Sequence, residues 1–537
     1  MDRALESNRM AKDHRAERLS AGDLVAEAGA ASEVTAHVTQ AAVSPTLDTL
    51  FQRTLARQPD APALLDPANK QRVTGHAPGR LSYAEADRAI AALSAHFVES
   101  GLPTNSVIAI QLPNTIEFVL TVLAAHRAGL VVAVLPLLWR HAELVAALNR
   151  TAARAIVTMS RIDGIVYSDL AMNAAAEAFS IRHVCGFGGD LPEGMASLDD
   201  VLAREPGRTR SVIQDGRKAA LISFDVTAEG FRPVPRPHLS LIAGGLAISL
   251  ESDVPQGATV MSAFAPMSFA GLASSLVVWL LSGGTLALHH PFDSEVLEEQ
   301  IKEHCCGVLV APAQLALRLG ELDMAARLPS LRNVIGLWRA PEQVASAEGW
   351  SASNASMTDI YLFGEAGLFG ARRGPDGLPV AIMPGPQGAP REIDGSSIAG
   401  DLLLTPKGTL GLRGPMVPVA AYAPPPPPPD MLTAQPPRDY ADTGYAARID
   451  RSTGALCITA PPTSIMAVGG YRFLSTDLQE WARRLGPGAL LTALPDRLSG
   501  HRLAGRAQDN ARAREALGEL GLNPLMVEAF RDRAGST

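Results

Sequence analysis

From residue 81 onward the apolar positions alternate between short continuous runs and longer helical stripes. "LSYAEADRAIAALSAHFVESG" repeats its apolar residues at helical spacing, with Ser82 placed to cap the N-terminus, and predicts an amphipathic helix. "SVIAIQL" at 106–112 is an apolar run stopped by a proline, as a buried strand would be. "TIEFVLTVLAAHRAG" then reads as a helix ended by Gly129, "LVVAVLP" as a strand, "RHAELVAALNRT" as a helix and "ARAIVTM" as a strand. The alternation returns over 263–335, where "GTLALHH", "CGVLVAP" and "LRNVIGL" are strands and "DSEVLEEQIKEH" and "AQLALRLGEL" are helices. An earlier helix is predicted at "LDTLFQRTLAR", 47–57. Strand–helix repeats of this length predict right-handed βαβ units, and therefore parallel sheets.

Near residue 400 the pattern changes. "GDLLLTPKGTLGLRGP" has short strands with Gly and Pro turns, which suits a small β-rich subdomain. After residue 460 an Arg-rich tail follows, with helices at "STDLQEWARRLG" and "NARAREALGELG". The predicted fold class is α/β. A polar, loosely held leader covers 1–45, and a large N-terminal domain over 46–460 holds the parallel βαβ subdomains and the β-rich one. A small, shortened α+β C-terminal domain covers 461–537. Pro424 to Pro429 form a proline run that favours polyproline II: a stiff surface spacer, or the ligand of a proline-binding protein partner. The leader is a second candidate for such a partner.

"SFAGLASSLVVWLLSGGTLAL", 268–288, is uncharged and about long enough to cross a bilayer. Its "SGG" reads instead as a helix stop followed by a strand, so no transmembrane span is expected. "MDRALESNRMAKDHRAERLS" has no apolar region of the kind a signal peptide needs. The length, 537 residues, suggests two or three domains. A net charge of −8 excludes a general nucleic-acid partner. The four cysteines are too few for a disulfide framework, which fits a reducing, cytoplasmic setting. Cys305 and Cys306 follow His304 directly, with no CxxC partner, and are expected to be buried, inert thiols rather than metal ligands.

At 221–238 an apolar run, Leu221 to Phe224, leads into "DVTAEGFRPVPRPH", expected to be a loop ending at His238. Downstream come "APMSFAGLASSLVVWLLSGGTLALHH", "GLRGPMVPVAAY", "YADTGYAARID" and "VGGYRF". With the opening helix and strand of 81–129, and in this order, these segments resemble the adenylate-forming superfamily of acyl-CoA synthetases, peptide-synthetase adenylation domains and luciferases. The resemblance runs over roughly 46–530. It implies a large domain that holds a carboxylic acid and MgATP, and a small domain that swings over it. The family releases pyrophosphate and passes the acyl-adenylate to a thiol such as coenzyme A.

The resemblance also implies specific parts, and this chain departs from most of them. In the phosphate loop, His238 matches and Thr227 and Gly230 can stand in for two members, but Asp225 and Glu229 bring carboxylates toward phosphate. Arg232 is the nearest cation in place of the family's lysine, and Pro233, Pro235 and Pro237 carry no N–H. In "LFGEAGLFG", Gly364 matches and Phe363 can stack as the family's tyrosine would. Glu365 is a displaced candidate for the magnesium ligand; a solvated turn carboxylate is the equal alternative. Thr443 and Gly444 match the ribose-binding turn, but Tyr445 stands where its aspartate should be, and Asp442 is expected to point away. Pro461 and Pro462 stiffen the hinge, while Gly470 and Tyr471 match the thiol side. Lys407 is the last lysine, and the sequence stops before the segment that would carry the adenylation lysine. In the acid pocket Ser268 stands where the family often has a histidine. Trp338 and Arg339 replace small residues, with Trp338 either filling the adenine slot or packing as core.

Losing one electrostatic clamp of this kind costs roughly 3 kcal/mol, about 10²–10³ in rate. The expected function is therefore an acyl-CoA-synthetase-like protein, catalytically weak or inactive. It would retain an acyl, carboxylate or nucleotide site, or act on a partner. Arg232, His238 and Glu365 are the catalytic candidates; ATP, Mg²⁺ and coenzyme A are the cofactors if activity is retained. Two alternatives stand beside it. One is a divergent ATP-dependent carboxylate–CoA ligase in which Arg232 or Arg502 reaches a phosphate. The other is a scaffold or membrane-peripheral protein.

Overall fold

A computed structural model describes residues 44–531, apart from 206, 208–211, 213–214, 352–353, 389–398 and 424–437. Pro424 to Pro429 and nearly all of the 1–45 leader lie outside the described residues.

The strand–helix beat builds two sheets. In the first, Val107–Ile110, Val131–Val134 and Ala155–Met159 pair in parallel and are buried along their whole length. Such strands are covered on both faces, which is why they read as unbroken apolar runs. This sheet has seven strands, with His183–Phe187 and Ala196–Ser197 on one side and Ala219–Thr227 and Gly230–Pro237 on the other. The second sheet has eight. Its middle is the parallel set Thr285–Leu288, Thr259–Ser262, Val308–Pro312, Asn333–Trp338 and Ser356–Leu362. Antiparallel strands close both its edges.

The helices obey their local signals. Ser82 Oγ accepts from the Glu85 N–H at 3.2 Å while Glu85 accepts from the Ser82 N–H at 2.8 Å, a reciprocal cap on Tyr83–Glu99. The uncharged 268–288 stretch is Phe269–Leu272, a π-helical turn Ala273–Val277, Val278–Ser282, a stop at Gly283 (φ +64°) and the strand Thr285–Leu288. No helix among the described residues is long and apolar enough to cross a membrane.

Two expectations are corrected here. The predicted loop before His238 is a β-hairpin: Ala219–Thr227 pairs antiparallel with Gly230–Pro237, turning at Gly230 (φ +110°). Prolines at every second position can sit in a strand only when all their missing N–H groups face away from the ladder. This strand is the sheet edge, so they do. The second correction concerns the thiols. Cys185 and Cys306 are buried, but Cys305 is exposed, in a left-handed turn (φ +49°).

The β-rich subdomain is a five-stranded antiparallel sheet that includes Gly400–Leu404, Thr409–Arg413 and Ala441–Ile449. The smaller C-terminal domain has the hairpin Ile465–Val468/Tyr471–Leu474, the helix Ser475–Arg484, a second hairpin and two more helices. Leu478, Leu503, Leu517 and Phe530 form a core of its own.

The helix His238–Glu251 packs on the broken 269–282 helix through two glycines. A Cβ on Gly245 would lie 2.4 Å from Val277 Cγ1, and one on Gly244 would lie 2.6 Å from Phe269 Cζ. Gly245→Ala is expected to destabilise the protein by about 1–3 kcal/mol, the overpacking cost outweighing the helix-propensity gain of about 0.5–1 kcal/mol. Urea unfolding checks this; an unchanged or raised midpoint would show that the helices part freely there.

Candidate functional site

Each parallel strand ends on one side of its sheet, and the segments that follow those ends converge. Pro136 to Arg140 follow Val131–Val134, Phe264 to Ser268 follow Thr259–Ser262, Arg339 follows Asn333–Trp338, and Gly364–Glu365 follow Ser356–Leu362. This is where an α/β sheet places its ligands. The C-terminal domain closes the space with its first hairpin, through Gly469 to Leu474, and with Leu478 and Trp481 of its helix. The result is a cavity of about 670 Å³ with a mainly apolar wall.

Asp225 is part of its wall, with a side chain 1% exposed. Its carboxylate accepts four hydrogen bonds: from its neighbour Val226 N–H (2.8 Å), Glu365 N–H (3.1 Å), Tyr422 Oη (2.5 Å) and Arg472 Nη1 (2.7 Å). A carboxylate has about four acceptor sites, so this one is saturated. Gly364 (φ +58°) makes the approach possible, since a Cβ there would lie 2.3 Å from Arg472 Nη1 and 2.8 Å from Asp225 Oδ2. Arg472 belongs to the C-terminal domain, so the pair joins the two domains. Beside it, the Leu138 N–H donates to Tyr471 Oη (3.2 Å), and Arg339 Nη1 donates to the Gly469 carbonyl (2.8 Å).

Glu365 is not the solvated turn carboxylate that its sequence context allowed. It is buried, with Oε2 accepting from Ser223 Oγ (2.5 Å) and the Phe269 N–H (3.0 Å). Arg236, completely buried, stands 3.6 Å from it, donates to the Glu365 carbonyl and stacks on the Phe269 ring at 4.1 Å. Burial pushes the Glu365 carboxyl up to about 7, against the opposing pull of Arg236 and Ser223.

The structure brings Ser268, Gly364, Glu365, Gly470 and Tyr471 together on the cavity wall. The other expected site residues lie elsewhere. Thr227 donates to Glu229 (2.7 Å) in the hairpin turn with Gly230. Arg232 donates to the Ala421 carbonyl and stacks on Tyr422 (5.8 Å), so it holds the 419–422 turn and faces no open phosphate site. His238 is buried: its Nδ1 accepts from the Leu47 N–H (3.4 Å), its ring meets His126 edge-on (4.7 Å), and burial holds it well below the usual histidine range. It anchors the first described helix and is no part of the cavity. Phe363 stacks on Phe369 and meets Tyr445 edge-on at 5.3 Å, so both expected nucleotide positions are core. Thr443 donates to the Leu410 carbonyl (2.8 Å), and Asp442 accepts from Thr409 (2.8 Å). Trp338 is core rather than slot-filler; its Nε1 donates to Asp359 (2.7 Å), which pairs with the buried Arg373 (2.9 Å). The residues that local reading missed are Arg236, Tyr422 and Arg472, whose partners are distant in the chain.

Neither MgATP part fits these residues. The Glu365 oxygen that bonds Ser223 and Phe269 already faces a guanidinium, which would repel Mg²⁺. Among the described residues no group of three or more His, Cys, Asp or Glu could hold a metal ion. Tyr445, which the resemblance aligns with the ribose-binding aspartate, is buried, and Asp225 is paired with Arg472.

The fold itself is shared. The apo structure of MbtA from Mycobacterium smegmatis superposes with a TM-score of 0.60 at 20% identity, covering 93% of this chain and 92% of that one. An acyl-CoA synthetase from Brucella canis superposes with a TM-score of 0.59 at 17% identity, again covering 93% and 92%. None of the curated proteins matches the sequence. The model of the AMP-binding enzyme family matches residues 51–390, more than half of the chain. The chain belongs to the AMP-binding enzyme family.

Proposed function

We propose that this protein is a ligand-binding member of its family, taking an apolar acyl or aryl acid in the interdomain cavity without turning over ATP. One observation carries the reading: the cavity is mainly apolar, while Asp225, Phe363 and Tyr445, at positions that the family resemblance gives to the nucleotide, are hydrogen-bonded or packed within the protein. Trp139, Phe224 and Phe231 form an aromatic cluster on its wall, with ring centroids 5.2–5.5 Å apart. An apolar wall with a few polar groups is the ordinary design of a small-molecule site. Arg140, Arg150 and Arg339 also line it, and none of them has an ion-pair partner among the described residues; Arg472 alone is paired. Glu365, neutral up to about pH 7, adds no opposing charge there at lower pH. Glu143, Asp163, Asp225 and Asp477 line the cavity as well, so its wall carries both signs; the guanidiniums of Arg140, Arg150 and Arg339 are the groups that an acidic end of a ligand would meet. Nothing in the contacts of Arg232 supports the divergent-ligase alternative.

Trp139 and Trp481 both line the cavity, so intrinsic fluorescence reports on it. A panel of medium-chain fatty acids and aryl acids is expected to give saturable quenching without ATP, lost when both tryptophans are replaced by phenylalanine. Acid-dependent pyrophosphate release from MgATP is expected to be at background. Release that scales with enzyme and acid would overturn the reading.

Glu365 supplies a second test. Unfolded, it ionises near 4.5; folded, near 7. In that window the folded state holds the extra proton. Stability is then present at low pH and lost as pH rises from 4.5 to about 7. Glu365→Gln stays neutral throughout. Its stability relative to wild type is expected to rise with pH across that window and then level off, read from urea midpoints between about pH 5 and about pH 8. A difference that does not vary with pH would rule out the buried, proton-holding carboxyl.

A further inference from the structure

The four donors on Asp225 come from four separate places. They are the hairpin strand itself, the turn after Ser356–Leu362, the Val419–Tyr422 turn and the C-terminal hairpin. Two are backbone N–H groups, one is a phenol and one a guanidinium. Converging donors of this mixture make an oxyanion cradle, and here a side chain of the protein occupies it. Exposed ion pairs need no such construction. Among the described residues the other ion pair between the domains, Arg497–Glu348 at 3.4 Å, has side chains 90% and 60% exposed and contributes little.

We infer that Asp225 is an internal ligand: its carboxylate fills an anion cradle and latches the C-terminal domain onto the hairpin, so that a free oxyanion of the phosphate class is excluded. The latch is a charge interaction in a dry place. Arg472 has a side chain 12% exposed and no second carboxylate within ion-pair distance among the described residues. Without Asp225, Arg472 would keep only a long bond to the Val226 carbonyl (3.4 Å) and the Glu365 N–H would lose its acceptor, and a small anion would satisfy both. The cradle goes beyond the apolar-ligand reading and does not depend on it, because the measurements below use no acyl compound.

The test uses full-length Asp225→Ala, with Asp225→Ala/Arg472→Ala and wild type beside it. The probes are inorganic phosphate and pyrophosphate, with sodium chloride at matched ionic strength. Asp225→Ala is expected to melt lower than wild type and to recover several degrees with phosphate beyond the chloride control. It is also expected to give a saturable heat with pyrophosphate in titration calorimetry. Wild type and the double variant are expected to give neither. Equal binding by wild type, or no gain over chloride in Asp225→Ala, would overturn the internal-ligand assignment.

If Asp225→Ala does not fold, Arg472→Ala decides the matter by hydrogen exchange. The Leu138 N–H and the 465–474 hairpin are expected to exchange at least about tenfold faster than in wild type, because the domain contact opens. Unchanged exchange in both segments would show that the pair is no latch.

Discussion

A carboxylate taken out of water must be fully hydrogen-bonded or it destabilises the state that buries it. Asp225 meets that condition only when four chain segments are in place together. The hairpin strand, the Gly364–Glu365 turn, the 419–422 turn and the C-terminal hairpin are therefore positioned relative to one another by one group. The shape of the cavity follows, since three of these four segments line it. Gly364 is part of the same constraint: a side chain there would enter the space between Arg472 and Asp225. The C-terminal domain has its own core, and it meets the large domain through this contact, through Tyr471 packed on a hydrophobic cluster of that domain, and through a few hydrogen bonds.

The periodic elements were legible because their signals are local. Spacing of three and four placed the helices, the Ser82 cap placed a helix start, and unbroken apolar runs placed the parallel strands. The hairpin was not legible, because prolines at 233, 235 and 237 read as a loop when the strand beside them is unknown. The site was half visible. The quoted segments held Gly364, Glu365, Gly470 and Tyr471, and the structure gathers these. Asp225 was read as repulsive to phosphate because only its immediate neighbours could be weighed, while the guanidinium that satisfies it lies 247 residues away. The burial of Glu365 has the same origin: Ser223, Arg236 and the Phe269 N–H come to it from other parts of the chain.

The departures from the family pattern share a physical direction. At the positions where this chain departs from the motifs that the resemblance implies, its residues pack or pair internally. Tyr445 joins the Phe363–Phe369 stack, Trp338 closes a network with Asp359 and Arg373, and Asp225 takes Arg472. The Trp338 and Asp225 contacts satisfy polar atoms within the protein that would otherwise need a ligand or water, while the Tyr445 contact is aromatic packing. The cavity beside them keeps a volume of about 670 Å³.

The proline-bearing strand Gly230–Pro237 also matters beyond the cavity it borders. It is the outermost strand of a seven-stranded sheet, and an open strand edge is a template on which a second chain can pair. Three of its outward-facing positions have no N–H to offer. An incoming strand would leave carbonyls unmatched at each of them, so edge-to-edge association is disfavoured at the margin nearest the domain contact. The same prolines thus withhold N–H donors from any strand that would pair along this edge.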